Sequence, residues 1–291
     1  MMAGPGVNML ATRRGERAIR LTIVAIGLLF TVLWFVPLLW VILTSLKPTG
    51  EILTNPPQWI PSEISFEHYE KVLEKPIGQW TINSLYISIV STFLTIVLGA
   101  AAGYAFARLR FFGRNFLFWL VLASFMMPFE VMLIPLYRMM GDFGLVGNRW
   151  SIILPSVAGP FSVYLFRQFF LSIPRELEDA AAIDGAGLWA RFLLVVLPLS
   201  IPACVSVGIL AFAENFNQYL WPLIMSTSDS VRTLPVGLNQ FSPSLQGSTN
   251  ITQYYGMGAA AVTMLIIPSL IVFLILQRFF MDNVITSGMK G

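Results

Sequence analysis

Long apolar runs restrict the possible folds of this chain more than any other feature. A transmembrane helix needs roughly 20 consecutive, mostly apolar residues. Only 11% of the 291 residues are charged and the mean hydropathy is +0.73, which no aqueous fold of this size accommodates. The sequence predicts an all-α membrane protein with about six transmembrane helices in one membrane domain. The predicted spans are 19–46, 81–108, 115–137, 151–171, 193–219 and 258–280.

The N-terminal residues precede the first apolar run and carry Arg13, Arg14 and Arg17. This arrangement is similar to the start of a signal peptide, but the run that follows is too long for a cleaved hydrophobic region. We therefore expect a cytoplasmic segment at 1–18 and a transmembrane domain at 19–291, beginning with an uncleaved span.

The placement of Lys and Arg predicts the orientation, because cytoplasmic loops carry an excess of both. With the N-terminus inside, twelve of the 18 cations fall at inner span ends. The outer side holds the other six, which are Lys47, Lys71, Lys75, Arg138, Arg149 and Arg232. An even number of spans then places both termini in the cytoplasm. Four tryptophans near predicted outer span ends are typical of an interfacial belt: Trp40, Trp80, Trp150 and Trp221.

The sequence lacks the residues that several classes of chemistry need. The single cysteine, Cys204, excludes an intrachain disulfide and a Cys cluster for a metal, so no metal site is expected. The single histidine, His68, is expected to be a solvated loop residue rather than a catalytic base. The cations form no basic stripe for nucleic acid. No Gly-x-x-x-x-Gly-Lys-Ser/Thr loop occurs, so this chain cannot itself bind ATP in the usual cradle, and an energy source must be another polypeptide or an ion gradient.

The longest inner loop, 172–192, has the pattern of a short helix. Pro174 suits a first helical turn, acidic residues follow it, and Gly185 and Gly187 allow the backbone to turn. Small residues on one face would let another surface approach closely. The residues alone leave two interpretations open, namely a docking helix and an ordinary amphipathic loop helix.

This loop resembles the permeases of ATP-binding-cassette importers, which carry Glu-Ala-Ala, three residues, Gly, nine residues and Ile-x-Leu-Pro. The matching residues are Asp179-Ala180-Ala181, Gly185 and Val195-x-Leu197-Pro198, with Asp for Glu and Val for Ile. Further segments are similar to the carbohydrate branch, including the smaller maltose-importer and glycerol-phosphate permeases. They are Ser45-Leu46-Lys47, Asn83-Ser84, 134–137, 217–223 and 286–291.

The resemblance implies a type I importer permease fold in a prokaryotic inner membrane. It also implies a second permease, two ATPase subunits and an external solute-binding protein as partners, besides membrane lipid. This chain would hold no cofactor, since ATP and Mg would be bound by the ATPase, and it would catalyse no covalent reaction. The loop residues that the resemblance assigns to coupling with the ATPase are Glu178, Asp179, Ala180, Ala181, Asp184, Gly185, Leu197 and Pro198.

Polar side chains at membrane depth are candidates for the solute path, because ionisable residues in a span are costly. The candidates are Glu130, Glu214, Asn215, Asn217, Gln218 and Trp221. Carboxylates and amides bind sugar hydroxyls, and aromatic rings cover the C–H face of a sugar. Alternatively, Glu130 and Glu214 tie helices together, or the solute site lies mainly on the second permease.

The function predicted is import of a carbohydrate, and few cations at membrane depth favour a neutral sugar over a glycerol-phosphate compound. Two other classes stay open from the residues. An ion-coupled transporter would need buried ion ligands and usually inverted repeats. A membrane enzyme acting on lipid-linked substrates would need clustered His, Asp or Glu. Gly99 and Gly103 form a small-xxx-small pair that predicts close helix packing.

Overall fold

The computed structural model describes the backbone of residues 6–157, 159–242 and 251–288, and the side chains of all but 6–18 and 276–288 of these. Within those ranges the regular structure is helical. The helices are α1 Gly6–Ser45, α2 Glu67–Leu73, α3 Ile77–Arg108, α4 Arg114–Phe125, α5 Phe129–Asp142, α6 Arg149–Val157, α7 Pro160–Ser172, α8 Glu176–Ile183, α9 Leu188–Leu199, α10 Ile201–Asn217, α11 Leu220–Met225, α12 Leu234–Leu238 and α13 Ile251–Gly288.

Three of these helices, α1, α3 and α13, are long and apolar enough to cross a membrane. Two bent pairs raise the number to five if each pair is one span: α4 with α5, bent by 100°, and α9 with α10, bent by 75°. Among the described residues the fourth predicted span, 151–171, is divided between α6 and α7, of 9 and 13 residues. The number of six spans stays a prediction.

The third and fourth predicted spans are each broken between two helices, and proline accounts for the breaks. The interruption that Pro198 and Pro202 predict in the fifth span is present as the bend between α9 and α10. Pro128 precedes α5, Pro160 begins α7, and Pro202 lies in the first turn of α10. Each lacks an N–H for the preceding turn and disfavours helical backbone in the residue before it. The apolar pattern continues across these sites, which is why hydropathy alone reports one span.

The chain divides into two units, of which the first comprises 1–72 and 241–263 and the second 73–240 and 264–291. The second unit is built on α3, which packs against α6, α7 and α10. One face of α3 is a buried stripe of small residues at helical spacing: Ser84, Ser88, Ser91, Thr95, Gly99 and Gly103. Small side chains let helix backbones approach closely inside a membrane.

The approach is closest at the two glycines. A methyl group added at Gly103 would lie 2.7 Å from Cβ of Phe166, and one at Gly99 would lie 2.5 Å from Oγ of Ser162. Ser156 Oγ also donates to Ser91 Oγ across 2.9 Å, which joins α6 to α3. The predicted small-xxx-small packing is confirmed.

Candidate functional site

The predicted loop helix is present as α8, which stands on a well-packed base. The residues before and after it, Ile173 and Phe192, lie in a buried cluster with Tyr104 of α3 and with Phe166 and Phe170 of α7. Apolar packing therefore fixes both ends of the loop to the second unit, while most of α8 itself lies at the surface.

Glu178 joins α8 to the C-terminal end of α3. Its Oε1 lies 2.7 Å from Nε of Arg108, and its Oε2 accepts a 2.8 Å hydrogen bond from the hydroxyl of Tyr104. The side chains of Arg108 and Glu178 are 6% and 8% exposed. Arg108 Nη2 also donates to the carbonyl oxygen of Ile173 across 2.6 Å. Buried charges need such partners, so this network specifies how α8 sits on α3.

The helix ends in a Schellman motif, which turns the chain sharply. The N–H of Ala186 donates to the carbonyl of Ala181, and that of Gly185 donates to the carbonyl of Ala182. Gly185 has φ +86°, in the left-handed region that favours glycine. The prediction that Gly185 turns the backbone is confirmed. Gly187 has φ −68° and needs no glycine for its conformation.

Beyond the turn, α9 carries the Val195-x-Leu197-Pro198 motif into the bend before α10. Residues Arg191–Val196 form a π-helical segment, in which Phe192 and Val196 are buried. Pro198 is exposed and Leu197 is half-buried against the core cluster. Backbone continuity thus links α8 to a bent membrane helix.

The sequence-predicted coupling residues divide into two groups. Asp179, Ala180, Asp184 and Gly185 are exposed, and Ala181 is half-buried. Glu178 differs, since it is occupied inside the chain rather than available to a partner. The surface also displays apolar side chains that the coupling prediction left out, namely Leu177, Ile183 and Trp189, of which Ile183 is 87% exposed. Five residues separate each from the next, so no apolar run marks them, and only Leu177 shares a helical face with Ala180 and Ala181.

The outer polar candidates are accessible without forming one cluster of contacts. Glu130 begins α5, Glu214 lies near the end of α10, and both are exposed. Neither makes an ion pair or hydrogen bond to any side chain that the structure describes. The described residues therefore show no bond from Glu130 or Glu214 that joins two helices. Asn215 and Asn217 donate to carbonyls one turn earlier in their own helix.

Gln218 and Trp221 are placed differently from the acids. Gln218 is half-buried, and its Oε1 has no partner among the described groups. Trp221 is 1% exposed, and its Nε1 donates across 2.9 Å to the carbonyl of Ser151. Phe129 packs edge-on against it. Trp221 thus fills the core next to α6 and offers no free ring face in this structure.

Trp80 is likewise buried, so it and Trp221 do not belong to the predicted interfacial belt. Trp80 Nε1 donates to Asp229, and a methyl group added at Gly237 would lie 2.0 Å from the Trp80 ring. Asn83 Nδ2 donates across 2.8 Å to the carbonyl of Arg232. Side chains at the start of α3 therefore hold the segment 229–237. Residues 243–250, which follow this segment and are rich in Ser, Gly and Asn, lie outside the described residues.

The expectation that His68 is solvated is wrong. It is 0% exposed, lies in α2, and its Nε2 is 3.0 Å from the carbonyl oxygen of Lys47. A methyl group added at Gly256 would lie 2.3 Å from the ring, so the imidazole packs directly on that backbone. Burial lowers the pKa of His68, and Lys71 adds to the effect, while Glu67 opposes it.

Comparison with known proteins identifies the architecture. Residues 95–284 match the family model described as binding-protein-dependent transport system inner membrane component. The chain is 36% identical to the arabinooligosaccharides transport system permease protein of Halalkalibacterium halodurans, with 88% of this chain and 91% of that protein aligned. It is 34% identical to the diacetylchitobiose uptake system permease protein of Streptomyces coelicolor, with 87% and 83% aligned.

A solved structure agrees on the fold. A bacterial ABC transporter involved in the import of the acidic polysaccharide alginate contains a chain with a TM-score of 0.79 and 22% identity, covering 92% of this chain and 98% of that one. Together with the helices described above, this match shows an all-α ABC importer permease fold.

Proposed function

Since this chain belongs to the family of binding-protein-dependent transport system inner membrane components, we propose that it is the permease subunit of an ATP-driven importer for an oligosaccharide. It is a membrane protein and performs transport rather than catalysis. Family membership gives no support to an ion-coupled transporter or a lipid-modifying enzyme.

An oligosaccharide is the preferred solute for two independent reasons. The similar permeases are named for arabinooligosaccharide and diacetylchitobiose transport. The exposed polar groups at the ends of α5 and α10 are carboxylates and amides, including Glu130, Glu214 and Asn217. Such groups accept and donate hydrogen bonds to sugar hydroxyls. Two exposed carboxylates would repel a phosphate, which weighs against glycerol-phosphate compounds.

The exposed face of α8 is the proposed contact with the ATPase, and the observation that carries this proposal is the buried anchor beneath it. Glu178, Arg108 and Tyr104 fix α8 to α3, while Asp179, Ile183 and the exposed alanines remain free for a partner. A helix fixed in this way moves with α3 and α9 as one body. Movement imposed on α8 by an ATPase would then tilt membrane helices without chemistry on this chain.

The proposed assembly contains this chain, a second permease, two ATPase subunits and an external solute-binding protein. In a bacterial cytoplasmic membrane the N-terminus and α8 would face the cytoplasm, and the segments 47–76 and 226–241 would face the binding protein. ATP and Mg would be bound by the ATPase subunits. The second permease is either a distinct chain or a second copy.

The test is to extract the protein gently from its native membrane and to identify the chains present in stoichiometric amounts. We expect a permease partner and an ATPase with its own Gly-Lys-Ser/Thr loop. The binding protein encoded with them would then be titrated with arabinooligosaccharides, chitobiose derivatives and glycerol phosphate. Isolation of the chain alone would contradict the importer, and binding of glycerol phosphate only would contradict the solute.

A further inference from the structure

Arginine side chains line an open cavity at the C-terminal end of α3, and only Arg108 among them also belongs to the α8 anchor. The cavity has a volume of about 580 Å³, and it lies between the α3–α4 turn and the start of the loop helix. Its arginines are Arg108, Arg110, Arg114 and Arg175. No Asp or Glu lines it among the residues the structure describes. This volume falls in the range of ordinary small-ligand sites, so the cavity has room for a polar headgroup.

A smaller adjoining cavity of about 220 Å³ shares three of these arginines and adds Arg191. Two carboxylates, those of Glu178 and Asp179, also line this second cavity. The Glu178 carboxylate is engaged by Arg108 and Tyr104. Five guanidinium groups thus face two carboxylates. The excess positive charge calls for an anion that none of the described residues lining the two cavities supplies.

Most of these guanidinium groups have donors to spare. Arg110, Arg114 and Arg175 form no ion pair with any described residue, and Arg114 uses one Nη1–H for the carbonyl of Leu109. The Nε of Arg191 is buried without a hydrogen-bond partner in the described part of the chain. Each guanidinium offers five N–H donors in a planar fork, which matches the oxygens of a phosphate.

The rim of the cavity is apolar and aromatic, which favours a lipid over a free anion as the ligand. Phe111 and Phe116 line it and are 39% and 69% exposed, and neighbouring Phe112 is fully exposed. Exposed aromatic rings beside arginines at the end of a membrane helix match the boundary between headgroups and acyl chains. A soluble phosphate would gain nothing from this rim.

We propose that the arginine cavity binds the phosphodiester of an anionic phospholipid. Basic pockets at the cytoplasmic ends of membrane helices have the chemistry for such headgroups. Because Arg108 and Arg175 also border the base of α8, a bound lipid would neutralise repulsion directly beneath the loop helix. The assignment of this lipid to the inner leaflet depends on the proposed orientation of the chain in the membrane. The binding of the lipid does not depend on it.

The test measures lipid retention by the full-length protein in the complex in which it purifies. Delipidated complex is incubated with phosphatidylglycerol or phosphatidylcholine and examined by native mass spectrometry, with thermal unfolding in parallel. The test variant is Arg110→Gln/Arg114→Gln/Arg175→Gln, which leaves the Arg108–Glu178 pair intact. Arg138→Gln, at an exposed outer arginine, is the matched control. A third arm replaces the lipid with soluble glycerol 3-phosphate.

We expect the wild-type protein to retain phosphatidylglycerol in preference to phosphatidylcholine, and to lose that preference as salt rises. Retention should fall about fivefold for each guanidinium removed, while Arg138→Gln stays at the wild-type level. If the triple Gln variant does not fold, the triple Lys variant is expected to keep the preference, since it keeps the charge. Equal retention of the two lipids by wild type, or full retention in the Gln variant, would overturn the proposal. Equal stabilisation by glycerol 3-phosphate would also overturn it, in favour of a free-phosphate site.

Discussion

At the scale of single residues, the acidic side chains of α8 have separate tasks. Glu178 is buried against Arg108 and Tyr104, while the adjacent Asp179 is exposed. One residue step on a helix rotates the side chain by about 100°, so neighbours on a short helix can face the core and the surface. Glu178 therefore belongs to the anchor, and Asp179 belongs to the proposed docking face.

The anchor predicts a double-mutant cycle. Glu178→Ala should destabilise the protein by about 3 kcal/mol, because it leaves Arg108 buried without its counter-charge. Arg108→Ala should cost a similar amount, and the double variant should cost clearly less than the sum of the two. Thermal or denaturant unfolding of the purified protein measures all three. Asp179→Ala is the matched control and should change stability by less than about 0.5 kcal/mol. Strict additivity would show that the ion pair does not anchor α8.

At the scale of elements, close backbone approach organises the second unit, and the stripe on α3 is where it occurs. A methyl group added at Gly103 would lie 2.7 Å from Cβ of Phe166 and 3.0 Å from the backbone nitrogen of Arg167. Backbone atoms cannot yield as a flexible side chain can, so α3 and α7 would have to separate.

Gly103→Ala is therefore expected to destabilise the protein by about 1–3 kcal/mol through overpacking. Gly78 lies in the same helix with nothing within 4 Å of an added methyl group. Gly78→Ala should be neutral or slightly stabilising, because alanine is the better helix former. The thermal unfolding midpoints of the two variants check the difference. Equal midpoints would contradict the close-packing account.

The buried α2 histidine predicts a pH dependence. Burial lowers the pKa of His68 in the folded state below the ordinary 6.5, so the unfolded state binds a proton first as pH falls. The contribution of neutral, buried His68 to stability is complete above about pH 6.5. It decreases as the pH falls from there to the pKa of the folded state. Unfolding midpoints from pH 7.5 to 5.0 should fall more for the wild type than for His68→Gln. Parallel curves would contradict this assignment.

The sequence predicted elements well wherever periodicity or turn chemistry was decisive. The sequence predicted the first, second and sixth spans, the turn at Gly185 after α8, and the close packing of α3 at Gly99 and Gly103. It did not predict the breaks at Pro128 and Pro160, since hydropathy runs through them. It also missed the burial of His68, Trp80 and Trp221, because each is buried by residues distant in sequence.

At the scale of the whole molecule, the helices provide a path and an anchored surface rather than a catalytic centre. Among the described helices, apolar side chains exposed on α1 and α13 match a lipid environment or a second permease. On α8, exposed acidic and apolar side chains stand together on an anchored helix. We therefore expect α8 to contact a separate ATPase.

Site-specific cross-linking tests that claim most directly. In a Cys204→Ser background, Ile183→Cys would place a thiol on the exposed face of α8, and Leu53→Cys would place one on the predicted outer side as the control. After the complex is treated with a short thiol-to-amine cross-linker, we expect Ile183→Cys to join the ATPase and Leu53→Cys not to do so. A cross-link from α8 to the binding protein, or none to the ATPase in an intact complex, would contradict the account.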